Sequence, residues 1–349
     1  MLARSARPGF AIRTAVGLAL LSVGALGIAE AQYAAEAPRA IAVAAAPITS
    51  FDIRDPSRTQ FGALEFRGGL ELTSSDKDFG GLSALRVAAD GEHFVSLSDK
   101  GRWFRGRMLY RDGRLDRIAE AETAPMLDSD GKSLATHGRF DTESLAQDGG
   151  MFYVGVERVN EIMRFDYGKD GLLARDVPVA VPPGVKTLPH NKGLEALAFV
   201  PRGQSSQSPL GGTLIAISER GLDHAGNILG FLIGGSLPGQ FAVTRLNNFD
   251  ISDAELLPDG DLLLLERRFS YSTGIAMRIR RVRQSDIRPG ALVDGRVLVR
   301  ADMGYQIDNM EGLAVHRNAQ GEIILTMVSD DNFSIVQRTI LLQFALVSE

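Results

Sequence analysis

Acidic residues recur at a regular spacing along this chain, and carboxylate oxygens are the ligands that hard divalent cations prefer. One recurring position is occupied by Ser83, Glu143, Glu195, Glu255 and Glu311, at intervals of 60, 52, 60 and 56 residues. A second acidic residue ends the apolar run that follows each of them: Asp99, Glu157, Glu219, Glu266 and Asp330. Four of this second set precede a base: Lys100, Arg158, Arg220 and Arg267.

These residue types suggest a cation site beside an anion site. Crowded carboxylates raise one another's pKa unless a cation neutralises them, so we predict a Ca²⁺ or Mg²⁺ site. Its candidate ligands are Glu143, Glu195, Glu255, Glu311, Asp330 and Asp331. The run Ser329–Asn332 has no base and is the strongest single metal candidate. The four bases are predicted to bind an anionic group of a substrate. The alternative is that each acid and base form a structural salt bridge between neighbouring repeats.

The sequence favours carboxylates as catalytic groups, because it contains none of the common motifs of enzymes with a nucleophilic side chain. Glu195 and Glu311 are predicted to act as catalytic residues, and His190 is a further candidate as a general acid or base because it lies just before the Glu195 motif. A loop histidine that only forms hydrogen bonds is the alternative. The chain contains no cysteine, which excludes thiolate catalysis and disulfides. No serine-hydrolase elbow, HExxH motif or P-loop is present.

The repeated acidic residues lie on predicted β-strands. Each repeat contains an apolar strand, a turn and a returning strand, and a period of this length is typical of propeller blades. We predict an all-β propeller of five four-stranded blades, or six if residues 51–75 form a further unit. The last repeat lacks one strand, so we predict ring closure by pairing of a strand near residues 64–72 with 339–347. In an antiparallel hairpin, the start of one strand lies beside the end of the other. Both acidic sets should therefore meet at one mouth of the central channel.

Composition and the N-terminus indicate an exported globular protein. The chain has 349 residues, a net charge of -5 and 44% hydrophobic residues, so no nucleic-acid partner is expected. Arg4, Arg7 and Arg13 precede an apolar run and the small-residue site Ala29-Glu30-Ala31. We interpret residues 1–31 as a Sec-type signal peptide, with an uncleaved membrane anchor as the alternative. Residues 32–50 are predicted to be a disordered linker and 51–349 the propeller domain. We expect a periplasmic or secreted monomer. We expect no organic cofactor, and no membrane span after the signal peptide is removed.

Several motifs resemble those of the phytase-like family, also called "esterase-like activity of phytase". The resemblance covers roughly residues 60–345 and rests on residues 79–85, 98–99, 141–143, 192–197, 218–220 and 309–313. It implies a secreted or periplasmic β-propeller and hydrolysis of ester or phosphate-ester bonds. Alkaline phytases, six-bladed propellers that bind several calcium ions, are a different comparison, since their Asp-Asp-Pro-Ala calcium motif is absent here.

Two functional hypotheses follow. The first is a metal-assisted hydrolase that acts on a small anionic or ester substrate at the charged mouth. The second is a non-catalytic periplasmic propeller that binds a ligand or protein partner through the same mouth.

Overall fold

The computed structural model describes residues 36–203 and 208–347, so the predicted signal peptide at 1–31 lies outside the described residues. The described chain is mostly β and forms five blades of four strands each. Four strands precede the first blade: β1 (Arg39–Ala40), β2 (Ala44–Ile48), β3 (Gln60–Phe61) and β4 (Leu64–Thr73). The all-β class and the five-blade count predicted from the sequence are confirmed, and the six-blade alternative is wrong.

The strands of each blade follow one another along the chain. Blade one contains β5 (Leu82–Val87), β6 (His93–Ser98), β7 (Arg102–Arg111) and β8 (Arg114–Pro125). Blade two contains β9 (Thr142–Asp148), β10 (Met151–Val156), β11 (Glu161–Asp166) and β12 (Asp176–Val179). Blade three contains β13 (Leu194–Val200), β14 (Thr213–Leu222), β15 (Ile228–Gly234) and β16 (Gly239–Val243).

Blade four contains β17 (Asp250–Leu256), β18 (Leu262–Ser270), β19 (Gly274–Val282) and β21 (Arg296–Asp302). Between its last two strands, β20 (Leu292–Val293) adds to blade three by parallel pairing with β16. Blade five contains β22 (Asn309–Arg317), β23 (Ile323–Asp330) and β24 (Thr339–Leu346). Helical structure in the described residues is limited to short turns, at Leu134–His137, Glu157–Val159, Tyr167–Asp170, Gly171–Leu173, Pro183–Lys186 and Gln284–Asp286.

The five innermost strands form a ring. Strand β5 contacts β9, β9 contacts β13, β13 contacts β17, β17 contacts β22, and β22 contacts β5. Buried apolar side chains form five clusters, and each cluster lies between two adjacent blades. Apolar burial between blades therefore holds the ring together.

Blade five takes its fourth strand from the N-terminal side. Strand β4 pairs antiparallel with β24, in a register that runs from Leu72 opposite Thr339 to Leu64 opposite Leu346. Strand β2 then pairs with β4, and β1 pairs with β8 at the edge of blade one. The prediction of a disordered linker is thus wrong for residues 39–48. Its Ala- and Pro-rich composition masked an edge strand, a position that tolerates Pro47 because an edge strand need not use every N–H.

At the centre of the ring lies the buried side chain of Arg86, on β5. Its guanidinium donates hydrogen bonds to backbone carbonyls of all five inner strands, namely those of Leu85, Leu145, Leu197, Ala254 and Leu313. It also forms ion pairs with Glu255, at 2.9 Å, and Asp253, at 3.4 Å. One cation therefore joins every blade across the channel.

No helix within residues 36–203 and 208–347 is long and apolar enough to cross a membrane.

Candidate functional site

A break in strand register occurs at the same point of all five inner hairpins. In each case one residue of the inner strand has no partner opposite it. The bulged residues are Ser83, Glu143, Glu195, Ser252 and Glu311. A bulge re-aims a side chain and is common beside functional sites. The fold thus presents three glutamates from bulges at one mouth of the ring, in blades two, three and five.

Blade four departs from the predicted repeat. Its bulged residue is Ser252, whose hydroxyl donates to the carbonyl of Met310 at 2.8 Å. Glu255 lies three residues further along β17 and pairs with Arg86, so it does not line the mouth. The prediction that Glu255 matches Glu195 is therefore wrong. Blade four has no glutamate at its bulge, so a prediction from repeat spacing alone chose Glu255, the nearest glutamate.

The second acidic position of blade four is displaced as well. Ser218 pairs opposite Leu194 in blade three, and Glu266 pairs opposite Ile251 in blade four. The residue equivalent to Glu219 is consequently Arg267. Glu266 is fully buried and accepts hydrogen bonds from Arg278 and Arg280, at 2.6–2.9 Å. Blade four thus supplies a cation to the mouth where the other blades supply an acid.

A cavity of about 590 Å³ occupies this mouth. Eight carboxylates line it: Asp99, Asp141, Glu143, Glu157, Glu195, Glu219, Glu311 and Asp330. Only two cationic side chains, Lys192 and Arg267, lie among its described lining residues. The cavity therefore has a large excess of acidic groups over basic ones.

Three of these carboxylates form a buried triad, Glu157, Glu195 and Glu219. One oxygen atom from each lies within 4.8 Å of the other two. The backbone N–H of Gly193 donates to Glu157 at 2.8 Å, and Lys192 Nζ lies 2.7 Å from Glu219. An all-oxygen donor set of this kind suits Ca²⁺ or Mg²⁺. The residues present therefore fit a hard divalent cation.

Arg267 is the main internal counter-charge. Its Nη2 lies 3.4 Å from both Glu195 and Glu219, and its Nε lies 3.1 Å from Glu311. Burial acts to lower the pKa of Arg267, but these three carboxylates and Glu143 outweigh burial and raise it. One guanidinium shared among three carboxylates leaves the cluster short of positive charge.

Burial and mutual repulsion raise the pKa values of several cavity acids. Burial, and then Glu219, raise the pKa of Glu157 to about 7, against the hydrogen bond from Gly193. Burial raises the pKa of Glu311 to about 8 although Arg267 opposes the shift. For Asp330 the value is about 7, because burial outweighs the hydrogen bond from the Asn332 N–H. Carboxyl groups of this kind can take up or release a proton near neutral pH.

The side chain of Glu143 has no hydrogen bond or ion pair with any other residue within 36–203 and 208–347, and it lines the cavity. Burial, followed by repulsion from Glu311 and Glu157, holds the pKa of Glu143 well above its usual range. The pKa of Glu195 is raised in the same way, by burial and then by Glu219 and Glu311. Glu143 is thus the acid in this cavity that has the least internal neutralisation.

Most of the predicted anion-binding and accessory residues lie outside the cavity. Lys100 stacks over the Phe333 ring at 3.0 Å, and Arg158 stacks over Phe140 at 4.6 Å. Arg220 pairs with Asp250, at 3.0 Å through Nε. Of the four predicted bases, only Arg267 lines the cavity.

His190 and Asp331 also lie elsewhere. His190 is exposed, with Nδ1 3.1 Å from the carbonyl oxygen of Arg158. Asp331 accepts hydrogen bonds from the Gly81 N–H and the Thr339 hydroxyl, both at 3.0 Å, and so links blades five and one. Asp330 and not Asp331 faces the cavity.

Five charged cavity residues were not among the predicted site residues: Asp99, Asp141, Glu157, Lys192 and Glu219. Three of these belong to the second acidic set, which the repeat places at the mouth. Lys192 directly precedes the Glu195 motif and Asp141 lies two residues before Glu143. Proximity in sequence to a repeated glutamate is therefore the feature by which Lys192 and Asp141 could have been predicted.

Comparison with known proteins gives one family match. Residues 77–333 match the model of the family described as "Phytase-like: Esterase-like activity of phytase". No curated protein matches the chain.

Solved structures show only distant likeness. The glutaminyl cyclase of Myxococcus xanthus is 10% identical, with 77% of this chain and 92% of that chain covered and a TM-score of 0.40. The PQQ-bound aldose sugar dehydrogenase of Streptomyces coelicolor is 13% identical, with 88% and 99% covered and a TM-score of 0.40. The WD40 repeats of RRP9 are 9% identical, with 82% and 100% covered and a TM-score of 0.37. Likeness at this level carries no information about activity.

Proposed function

Because the chain belongs to the phytase-like family, we propose that it is an exported hydrolase of ester or phosphoester bonds that works with Ca²⁺ or Mg²⁺ in the acidic cavity. The observation that carries this proposal is the excess of eight carboxylates over two cationic side chains around one cavity. Such a site is costly to keep fully ionised without a bound cation.

Glu157, Glu195 and Glu219 would hold the cation, since their oxygen atoms already converge. A bound cation of this type supplies Lewis-acid polarisation of the ester and lowers the pKa of a bound water. Gly193 and Lys192 orient Glu157 and Glu219 through the hydrogen bonds described above. The two residues before Leu194 therefore hold two of the three triad carboxylates in position.

Glu143 and Glu311 are the proposed proton-transfer groups. The Glu143 side chain forms no hydrogen bond or ion pair with another described residue, so its carboxylate is free to accept a proton from an attacking water in the cavity. Glu311 is held by Asn309 at 2.7 Å, and its pKa of about 8 keeps a proton available to a leaving group. Both side chains line the same cavity.

An anionic substrate would depend on the cation for much of its binding. Lys192 is engaged with Glu219, and Arg267 with three carboxylates. Lys100, Arg158 and Arg220 have partners outside the cavity. Without the cation, the carboxylates of the cavity would therefore repel a phosphate group, whereas they would not repel a neutral ester.

Export is supported by the N-terminal sequence, with its arginines, apolar run and small-residue site. N-terminal sequencing of protein recovered from the periplasmic fraction should begin at Gln32. A mature protein that still begins at Met1 would contradict export with cleavage.

The non-catalytic alternative has one observation in its favour. Arg267 joins carboxylates from β13, β14 and β22, as expected of a structural link between blades three, four and five. On this hypothesis the mouth binds a ligand or protein partner without turnover. Cation binding without hydrolysis of any ester or phosphoester would favour it.

The hydrolase proposal predicts the behaviour of Glu195→Gln and Glu311→Gln. With p-nitrophenyl esters and p-nitrophenyl phosphate in CaCl₂, each substitution should lower kcat/KM by about 10²-fold or more. Glu311→Gln removes a positioned acid, which usually contributes that much, and Glu195→Gln removes a ligand of the cation. EDTA should abolish the wild-type activity. Glu120→Gln, at an exposed carboxylate outside the cavity, is the matched control and should leave kcat/KM unchanged. Activity retained in both cavity variants would refute the proposed site.

A further inference from the structure

The most exposed large apolar side chains of the described residues are concentrated at the cavity mouth. Tyr271 and Ile335 are fully exposed, Val336 is 83% exposed, and Phe269 and Met303 are at least 60% exposed. No other large apolar side chain in residues 36–203 and 208–347 reaches 60%. All five belong to blades four and five, which are adjacent in the ring. We call these five residues the apolar rim.

Three segments of the chain present the apolar rim. Phe269 and Tyr271 lie at the turn between β18 and β19, where their ring centroids are 5.3 Å apart. Met303 follows β21 and lies against Gly274 at the start of β19. Ile335 and Val336 lie in the loop between β23 and β24. Blade four and blade five thus each contribute one side of the rim.

The apolar rim is continuous with the acidic cavity. Phe269 and Val336 line that cavity together with Glu195, Glu311 and Arg267. Exposed apolar clusters of this kind usually mark a binding surface, because leaving apolar area in water is unfavourable. A cavity of about 590 Å³ is of a size that small molecules occupy.

We infer that the apolar rim binds the acyl chain of an ester whose reacting carbonyl lies in the acidic cavity. The substrate class is therefore neutral esters with an acyl chain of several carbons. This inference rests on the proposed hydrolase function for the reacting group. A neutral ester suits the cavity because it avoids the repulsion that a free phosphate would meet there, and Phe269 and Val336, which line the cavity, would contact the start of its chain.

The test compares chain lengths in wild type and two triple variants. The rim variant is Tyr271→Ser/Ile335→Ser/Val336→Ser. The control variant, Leu173→Ser/Val177→Ser/Leu292→Ser, changes three exposed apolar side chains that do not line the cavity. All six side chains are at least 49% exposed, so both variants should keep a thermal midpoint close to that of wild type.

Two readouts separate the rim from the chemistry. The first is kcat/KM for p-nitrophenyl butyrate and p-nitrophenyl octanoate in CaCl₂. The second is displacement of the neutral dye Nile red by methyl butyrate and methyl octanoate, which needs no turnover. Wild type and control should prefer the octanoyl ester about tenfold in both, given four additional methylenes partly buried. The rim variant should show less than twofold preference.

The outcomes are distinguishable. Octanoyl preference in displacement without hydrolysis of either ester would refute the hydrolase proposal and support the acyl-binding rim. Equal displacement by both methyl esters, or an octanoyl preference that survives in the rim variant, would overturn the rim. A wild-type dimer in sedimentation analysis that becomes monomeric in the rim variant would also overturn it, in favour of a contact between two copies of the chain.

Discussion

Replacing Arg86 by methionine is expected to lower the free energy of unfolding by about 3–5 kcal/mol, the usual cost of removing one partner from a buried ion pair. The loss has two physical sources. Backbone carbonyls from all five inner strands lose a charged hydrogen-bond donor at the centre of the ring. Asp253, which is fully buried, also loses a cation that offsets its burial.

Urea unfolding is the measurement for Arg86→Met. The single tryptophan, Trp103, is fully buried in the core between blades one and two, so its fluorescence should report the transition. The double variant Arg86→Met/Asp253→Asn should recover part of the loss, because it removes the unpaired acid. Arg117→Met, at an exposed arginine paired with Asp116, should change stability by less than about 1 kcal/mol. A loss below about 1 kcal/mol for Arg86→Met would show that the central arginine does not hold the ring.

The second large effect concerns pH. In EDTA, the free energy of unfolding is expected to fall by at least about 3 kcal/mol as pH rises from about 5 to about 8. Glu157 and Asp330 have pKa values of about 7 in the folded protein, and Glu311 has a pKa of about 8. In the unfolded chain these carboxyls titrate near pH 4. Between these limits the folded state binds more protons than the unfolded state, so raising the pH favours unfolding.

Calcium should remove most of this pH dependence, because a bound cation stabilises the ionised carboxylates that high pH produces. The variant Glu157→Gln/Glu311→Gln should also flatten the slope, since its neutral amides no longer titrate. Glu120→Gln, at a surface position, should leave the slope unchanged. Stability that stays constant or rises between pH 5 and 8 in EDTA would contradict the electrostatic description of the cavity.

Much of the fold could be predicted from the sequence because each blade repeats the same apolar strand, turn and strand. The strand at 64–73 could also be inferred, since the fifth repeat lacked one strand. The N-terminal strands were missed for a different reason. Residues 44–48 contain three alanines and a proline, and they bury little apolar surface. Their structure depends on pairing with β4, a tertiary contact that local composition does not reveal.

The position of the site at one mouth of the ring could be predicted from the sequence, but the identity of each residue that lines it could not. Glu143, Glu195 and Glu311 could be identified from their repeat spacing, because each occupies the bulge at the same place in its blade. Blade four could not be aligned correctly, because its bulge carries Ser252 and its second position carries Arg267. Whether a base faces the cavity or a neighbour also depends on packing. Arg220 is drawn to Asp250, and Lys100 to Phe333, by contacts between residues distant in sequence.

We propose that the triad Glu157, Glu195 and Glu219 binds a divalent cation. Isothermal titration of calcium at pH 7.5 compares wild type with Glu157→Gln/Glu195→Gln/Glu219→Gln. We expect saturable binding to wild type, loss of that binding in the triple variant, and unchanged binding in the surface control Glu65→Gln/Glu120→Gln/Glu322→Gln. Absence of calcium binding to wild type at millimolar concentrations, or equal binding by the triad variant, would contradict it.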